Sequence, residues 1–201
     1  MGYARCIMGF AGHMIDAPRR KVPRFPPEAE SGVRSAIRDC LERYKPEIAV
    51  SSAACGGDII FAEEAIKLGI PTYIILPFED KKEFITQSVA FAKGSWVERF
   101  YNVLRDAQSV LYIIPKKYRG VIDYIENQIG IIFFLLGIQE IQKIQIVNMF
   151  LYDNQAPGAG PGGTHDFLEL YKSLEKNNVL MVHETIDLVK IREQIAKRDH
   201  L

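Results

Sequence analysis

Short β-type runs alternate with longer helical patterns along the chain, and this rhythm constrains the fold more than any single motif. "YARCIMGF" (Tyr3–Phe10), "EIAVSS" (Glu47–Ser52), "IPTYIILPF" (Ile70–Phe78), "QSVLYIIP" (Gln108–Pro115) and "IQIVNMFLYD" (Ile144–Asp153) read as strands, and a short one follows near Val179–His183. Helical patterns fall between them, over Glu28–Tyr44, Asp58–Gly69, Lys81–Ala92, Trp96–Arg105, Val121–Glu140 and Gly163–Asn177, with a charged helix at the end. In the first of these, Val33, Ile37, Cys40, Leu41 and Tyr44 share one face, and Gly69 closes the second. The third strand is too apolar to have a solvated face. Such alternation builds a parallel sheet covered on both sides. The expectation is a three-layer α/β fold: a mostly parallel sheet of five to six strands with helices on both faces. Residues 1–201 form one domain, of which 185–201 is a helical tail.

Composition supplies limits. Hydrophobic residues make up 48% of the chain, enough for a substantial core. Lys+Arg and Asp+Glu both total 25, and this balance argues against a nucleic-acid partner held by general electrostatics. One local basic patch, "RRK" (Arg19–Lys21), lies in a loop. Cys6, Cys40 and Cys55 are odd in number, and each sits beside apolar residues. They read as reduced thiols of a cytoplasmic protein, with no zinc-ligand spacing and no metal expected. The most apolar run, Ile129–Ile138, is too short to span a bilayer, so no membrane partner is expected; it reads as a helix buried on nearly every side.

In open α/β sheets, ligands bind beyond the carboxyl ends of the strands. Three unusual loops lie there, after the first, second and fifth strands. In "GFAGHMID" (Gly9–Asp16), Gly9 and Gly12 flank the strand end and His13 and Asp16 follow. Either these two address a phosphate or sugar, or His13 holds its own turn and Asp16 satisfies local backbone. In "SSAACGGD" (Ser51–Asp58), Ser51, Ser52 and Cys55 surround a turn in which Gly56 and Gly57 permit close approach of a ligand to backbone N–H groups. Asp58 either caps the following helix or contacts a sugar, and its charge argues against a phosphate directly above it. Glu63, one turn on, is within reach of the same ligand. In "YDNQAPGAGPGGTHDF" (Tyr152–Phe167), Asp153 ends a strand, Gly162 and Gly163 expose N–H groups, and Thr164 is the expected N-cap. The Lys-Ser/Thr ending of a Walker A loop is absent, as is GxGxxG spacing. Trp96, Phe100 and Leu104 recur at helical spacing and read as core.

Taken together, "GFAGHMID…RFPP", "SSAACGGDIIFAEEAIKLGIPTYIILPF", the "WVERF" of Trp96–Phe100 and "GPGGT" resemble the SMF/DprA–LOG (SLOG) superfamily of Rossmann-like domains, across roughly Gly9 to Thr164. "GPGGTHDF" is similar to, but not the same as, the PGGxGTxxE signature of the LOG phosphoribohydrolases. The resemblance implies a pocket for a nucleotide or nucleotide-derived ligand, without a further cofactor. It is of the kind found in bacterial proteins with tetratricopeptide repeats or nucleotide-cyclase domains, which implies an effector domain in a partner protein. The leading expectation is binding or sensing of a nucleotide signal. The alternative is a nucleotide N-glycosidase in which Asp166 or Glu169 takes the place of the catalytic acid, although no arginine is evident to hold a phosphoribosyl group. A third reading is an oligomerisation module with a degenerate pocket, a homodimer formed through the apolar helix.

Overall fold

The computed structural model describes residues 5–114, 118–154 and 163–198. Six strands form one sheet: β1 (Cys6–Gly12), β2 (Ala49–Ser51), β3 (Thr72–Phe78), β4 (Ser109–Ile114), β5 (Gln145–Tyr152) and β6 (Met181–Asp187). Their order across the sheet is β4-β3-β2-β1-β5-β6, and each neighbouring pair is parallel. The helices are α1 (Glu30–Tyr44), α2 (Gly57–Lys67), α3 (Lys81–Ser88), α4 (Trp96–Asp106), α5 (Val121–Gln142), α6 (Thr164–Glu175) and α7 (Leu188–Arg198). The fold is a three-layer, Rossmann-like α/β arrangement, as the alternation implies.

Residues of period two in the strands divide between two cores. Cys6, Met8, Phe10, Ile74, Leu76, Val147, Met149 and Leu151 pack with α1, α2, α4 and α7. Ile7, Val50, Ile75, Ile146 and Phe150 face the other side, under α5 and α6. The second helix ends at Lys67, two residues before the Gly69 that closes its sequence pattern, in a Schellman motif. Gly69 at φ +73° donates to Ile66 O (2.9 Å), and Ile70 donates to Ala65 O (3.0 Å). At the chain's end, β6 continues to Asp187, so the helical segment begins at Leu188 rather than at 185.

The apolar helix departs from expectation. At 22 residues α5 is long and apolar enough to cross a membrane by length and composition alone. One stripe, Asp123, Asn127, Ile131, Leu135 and Gln139, is buried against the sheet. It is not buried all round: Ile129, Phe133 and Ile141 lie on the outer face, Phe133 with 68% exposure. Apolar content reports a residue's transfer free energy, not whether a neighbour covers it.

Beneath α5, Gly9 of β1 makes room for Asn148 of β5, a fully buried side chain whose amide atoms find no hydrogen-bond partner among the described residues. A Cβ at Gly9 would collide with Asn148 Oδ1 and lie 2.7 Å from Leu135 Cδ1. Gly9→Ala is therefore expected to destabilise the fold by about 1–3 kcal/mol through overpacking. Urea unfolding of the two proteins measures this, and equal midpoints would contradict it.

Candidate functional site

The strand order reverses at β1 and β5. The chain leaves β1 towards β2 and leaves β5 towards β6, so the loops after these two strands diverge and open a crevice at the carboxyl edge. A cavity of about 460 Å³ occupies this switch point. Its walls come from the end of β1 (Phe10–Met14), the β2–α2 turn (Ser52, Ala54, Asp58), α3, α5 and the first turn of α6 (Gly163–Phe167).

Arg24 and Arg20, from the proline-rich loop after β1, also line it. That loop folds back because Phe25 is fully buried and its carbonyl accepts from Asp16 N–H (2.8 Å), while Arg24 N–H donates to Asp16 Oδ2 (2.9 Å). The fold-back carries the Arg24 guanidinium to Asp153 at the end of β5. Nε donates to Oδ2 (2.6 Å) and Nη2 to Oδ1 (2.9 Å), a bidentate pair on a carboxylate with 1% exposure. His13 Nε2 lies 3.1 Å from both Asp153 Oδ1 and Arg24 Nη2, so one tautomer donates to the carboxylate and the other accepts from the guanidinium. Burial, then the charge of Arg24, holds the His13 pKa below its usual value despite the opposing pull of Asp153. The imidazole is thus neutral at pH 7. Next to it, Tyr152 OH and His165 Nδ1 share a hydrogen bond of 2.8 Å, joining β5 to α6.

Several residues singled out in the sequence meet here: Gly12, His13, Ser52, Asp58, Gly163, Thr164 and Asp166 all line the cavity. Asp153 stands behind His13 and Arg24. Gly162 lies outside the described residues. The others have different work. Asp16 satisfies loop backbone, and Ser51 is fully buried and donates to Ser52 O (2.8 Å). The Cys55 thiol is buried and pushed up to about 12, too high to supply a thiolate at neutral pH. Glu63 is held between Arg99 (2.7 Å) and Arg34 (2.8 Å), away from the cavity. Glu169 is exposed and paired with Lys172 (3.0 Å).

The glycine turn is knitted to the β1 loop rather than left open. Gly57 N–H donates to His13 O (3.1 Å), and Ile15 N–H to Cys55 O (3.1 Å). Gly56 sits at φ +101°, where a Cβ would strike Ile15 N. These glycines serve a close backbone crossing, and the Gly57 N–H is already engaged. Asp58 is not the N-cap of α2 either. It is the second residue of the helix, and its carboxylate reaches back to the N–H groups of Ala54 (3.3 Å) and Gly12. Likewise Gly163, not Thr164, holds the N-cap position of α6. Arg24 is a cavity-lining cation that the sequence reading did not single out, and Arg20 entered it only as part of the basic patch Arg19–Lys21. The available signal was that three-residue basic run in the loop that follows His13.

No family model and no curated protein matches the chain. Among solved structures, it is similar to DNA processing protein A from Helicobacter pylori, in a structure describing that protein's single-stranded DNA binding mode. Identity is 12% and the TM-score 0.37, over 96% of this chain and 81% of the other. Likeness at this level concerns the α/β arrangement alone. One expectation is corrected on physical grounds: balanced charge was read as excluding nucleic acid, and it does not exclude it. Net charge is a sum over the whole surface, whereas Arg20 and Arg24 both lie at one mouth of the cavity.

Burial raises the Asp58 carboxyl from 3.8 to about 7. Between these values the folded protein keeps a proton that the unfolded chain has released, so stability falls as pH rises through that window. Asp58→Asn should remove this contribution and unfold at higher urea than the wild type at pH 7.5, the difference shrinking towards pH 4. A wild-type advantage at pH 7.5 would contradict the assignment.

Proposed function

We propose that this chain is a binding or sensing module for a nucleotide or nucleotide-derived small molecule, seated at the β1/β5 switch point, with a relationship to the SLOG superfamily. The observation that carries the reading is the two-ended cavity. One end holds Arg20, half-exposed beside Asp16 (3.4 Å), Arg24 on Asp153, the neutral His13 and the start of α6 with Asp166; there the Arg20 guanidinium and the first-turn N–H groups are the features that favour an anion. The other end, against α3 and α5, is aromatic and amide-lined. Its volume, about 460 Å³, falls within the range of small-molecule sites. Ligand binding would bias an effector domain or an oligomer through differential affinity for two states.

The N-glycosidase alternative now depends on Asp166, since Glu169 lies outside the cavity. Calorimetry with nucleoside mono- and diphosphates and a single-stranded oligodeoxynucleotide, followed by chromatography for free base, tests both. The expected result is nucleotide binding without base release, weakened about tenfold or more in Arg20→Ala by loss of one charged hydrogen bond. Base release would favour the glycosidase, and binding of the oligonucleotide alone would overturn the nucleotide reading.

One observation favours an oligomerisation role beside binding. Ile129, Phe133, Gly137 and Ile141 form a single outer ridge on α5, and a Cβ at Gly137 would meet nothing within 4 Å. A mid-helix glycine costs about 1 kcal/mol and is not required here by internal packing. In an antiparallel pairing with a second copy, Phe133 would fill the hollow over the other Gly137, and Ile129 would meet the other Ile141. Glu126 and Lys143, at opposite ends of the helix, would then approach each other across the pair. Sedimentation should find a dimer that Phe133→Glu converts to monomer. A wild-type monomer would sink this role, as would recovery of the wild type only with detergent or vesicles.

A further inference from the structure

The cavity holds one side chain that the fold orients from behind and leaves half satisfied. The His13 side chain lines the cavity with 11% exposure, and its ring bonds through Nε2 alone, with Asp153 Oδ1 and Arg24 Nη2 both at 3.1 Å. Nδ1 takes part in neither contact, and it is not shut away from solvent as the unpartnered amide atoms of Asn148 are. The accessible nitrogen therefore opens towards the cavity. What it can bind follows from Nε2. When Nε2–H donates to the carboxylate, Nδ1 is a bare acceptor; when Nε2 accepts from the guanidinium, Nδ1 carries the proton. A phosphate or carbonyl oxygen serves only the second form, and an aromatic amino group only the first. A hydroxyl serves both, since it donates and accepts. Position agrees with this chemistry. His13 follows β1, which lies between β5 on one side and β2 and β3 on the other. It thus stands about 5 Å from the line of β5, which leads to α6, and about 10 Å from that of β3, which leads to α3. In a nucleotide the sugar lies between phosphate and base and supplies the neutral hydroxyls.

Resting on the nucleotide reading above, we infer that His13 Nδ1 bonds a hydroxyl of the ligand's sugar, so that the site takes ribonucleotides in preference to their 2′-deoxy or 3′-deoxy counterparts. The discrimination has a direct physical source. A deoxy ligand sets a C–H against Nδ1 and excludes the water that would otherwise bond it, leaving the nitrogen unpaired. A site built to hydrogen-bond a substrate hydroxyl rejects the analogue lacking it far more strongly than an apolar pocket rejects a missing methylene. Charge recognition falls to a different residue. Arg20 uses Nε on Val22 O (3.0 Å) and Asp16 (3.4 Å), and its Nη atoms bond nothing among the described residues, so they are free to meet a phosphate. Asp153 and Arg24 act through His13 as positioning residues, holding the ring so that Nδ1 keeps its direction.

The experiment compares AMP, GMP, CMP and UMP with their 2′-deoxy and 3′-deoxy forms by calorimetry at neutral pH. For the base that binds best, at least one deoxy form should bind about tenfold or more weakly than the ribonucleotide, through loss of one hydrogen bond. In His13→Gln the amide can replace Nε2 on Asp153, and nothing replaces Nδ1. This variant, its fold checked by circular dichroism, should bring the ribonucleotide and deoxynucleotide affinities together. Should it unfold, the imidazole ¹⁵N shifts of the wild type decide: at saturation, Nδ1 of His13 should move further with the ribonucleotide than with the weaker deoxy form. Deoxy forms that bind as tightly as the ribonucleotide overturn the sugar contact while leaving nucleotide binding intact. So does a preference that survives in folded His13→Gln, or an Nδ1 shift that is the same for both ligands. Failure of all four ribonucleotides to bind overturns the parent reading, and this inference with it.

Discussion

The buried pairing of Arg24 with Asp153 is what the site is built around. Asp153 ends β5 at the point where the strand order reverses, and its carboxylate has almost no contact with solvent. Stranding such a charge costs about 3–5 kcal/mol, so the pair is a strong constraint on the loop even if its net contribution to folding is small. Satisfying it requires the segment after β1 to double back over the sheet edge. Phe25 provides the apolar burial for that return and Asp16 the backbone bonds. His13, caught between guanidinium and carboxylate, is thereby fixed and kept neutral. One ion pair thus places Arg24 at the mouth of the cavity and orients His13, whose pKa is lowered first by burial and then by the Arg24 charge, against the pull of Asp153.

What was legible in the sequence divides along the range of the interaction concerned. Strands and helices are written in periodicities of two and 3.6, which are local, so the six strands and their helices fall close to their sequence patterns. The carboxyl edge as the site follows from parallel topology, and His13, Asp58 and Thr164 reach it for that reason. Asp153 with Arg24 is a contact across 129 residues, and no local pattern announces it. The glycine turn misled for a related reason. Gly56 and Gly57 do mark a close backbone approach, but the partner is the protein's own His13–Ile15 strand end, not a ligand. The outer face of α5 shows the same limit: Ile129, Phe133 and Ile141 are as apolar as the residues beneath the helix, and only three-dimensional packing separates them.

Asp58 connects these themes. Its position between the Gly12 and Ala54 N–H groups gives the carboxylate two donors, which favour ionisation, yet burial prevails and leaves it titrating near neutrality at about 7. A group in that state responds to whatever occupies the cavity it lines. An anion brought to the cationic mouth would add repulsion to desolvation and drive Asp58 towards its protonated form. In that form it is an O–H donor rather than a competing charge, which reconciles an acid in the wall with an anionic ligand in the space. The same linkage makes such binding take up protons and weaken as pH rises past 7, because ionised Asp58 must first be neutralised. A cavity with arginines at one mouth and a buried acid in its wall is therefore electrostatically consistent when the acid is read as a titrating group, and inconsistent only when its charge is taken as fixed.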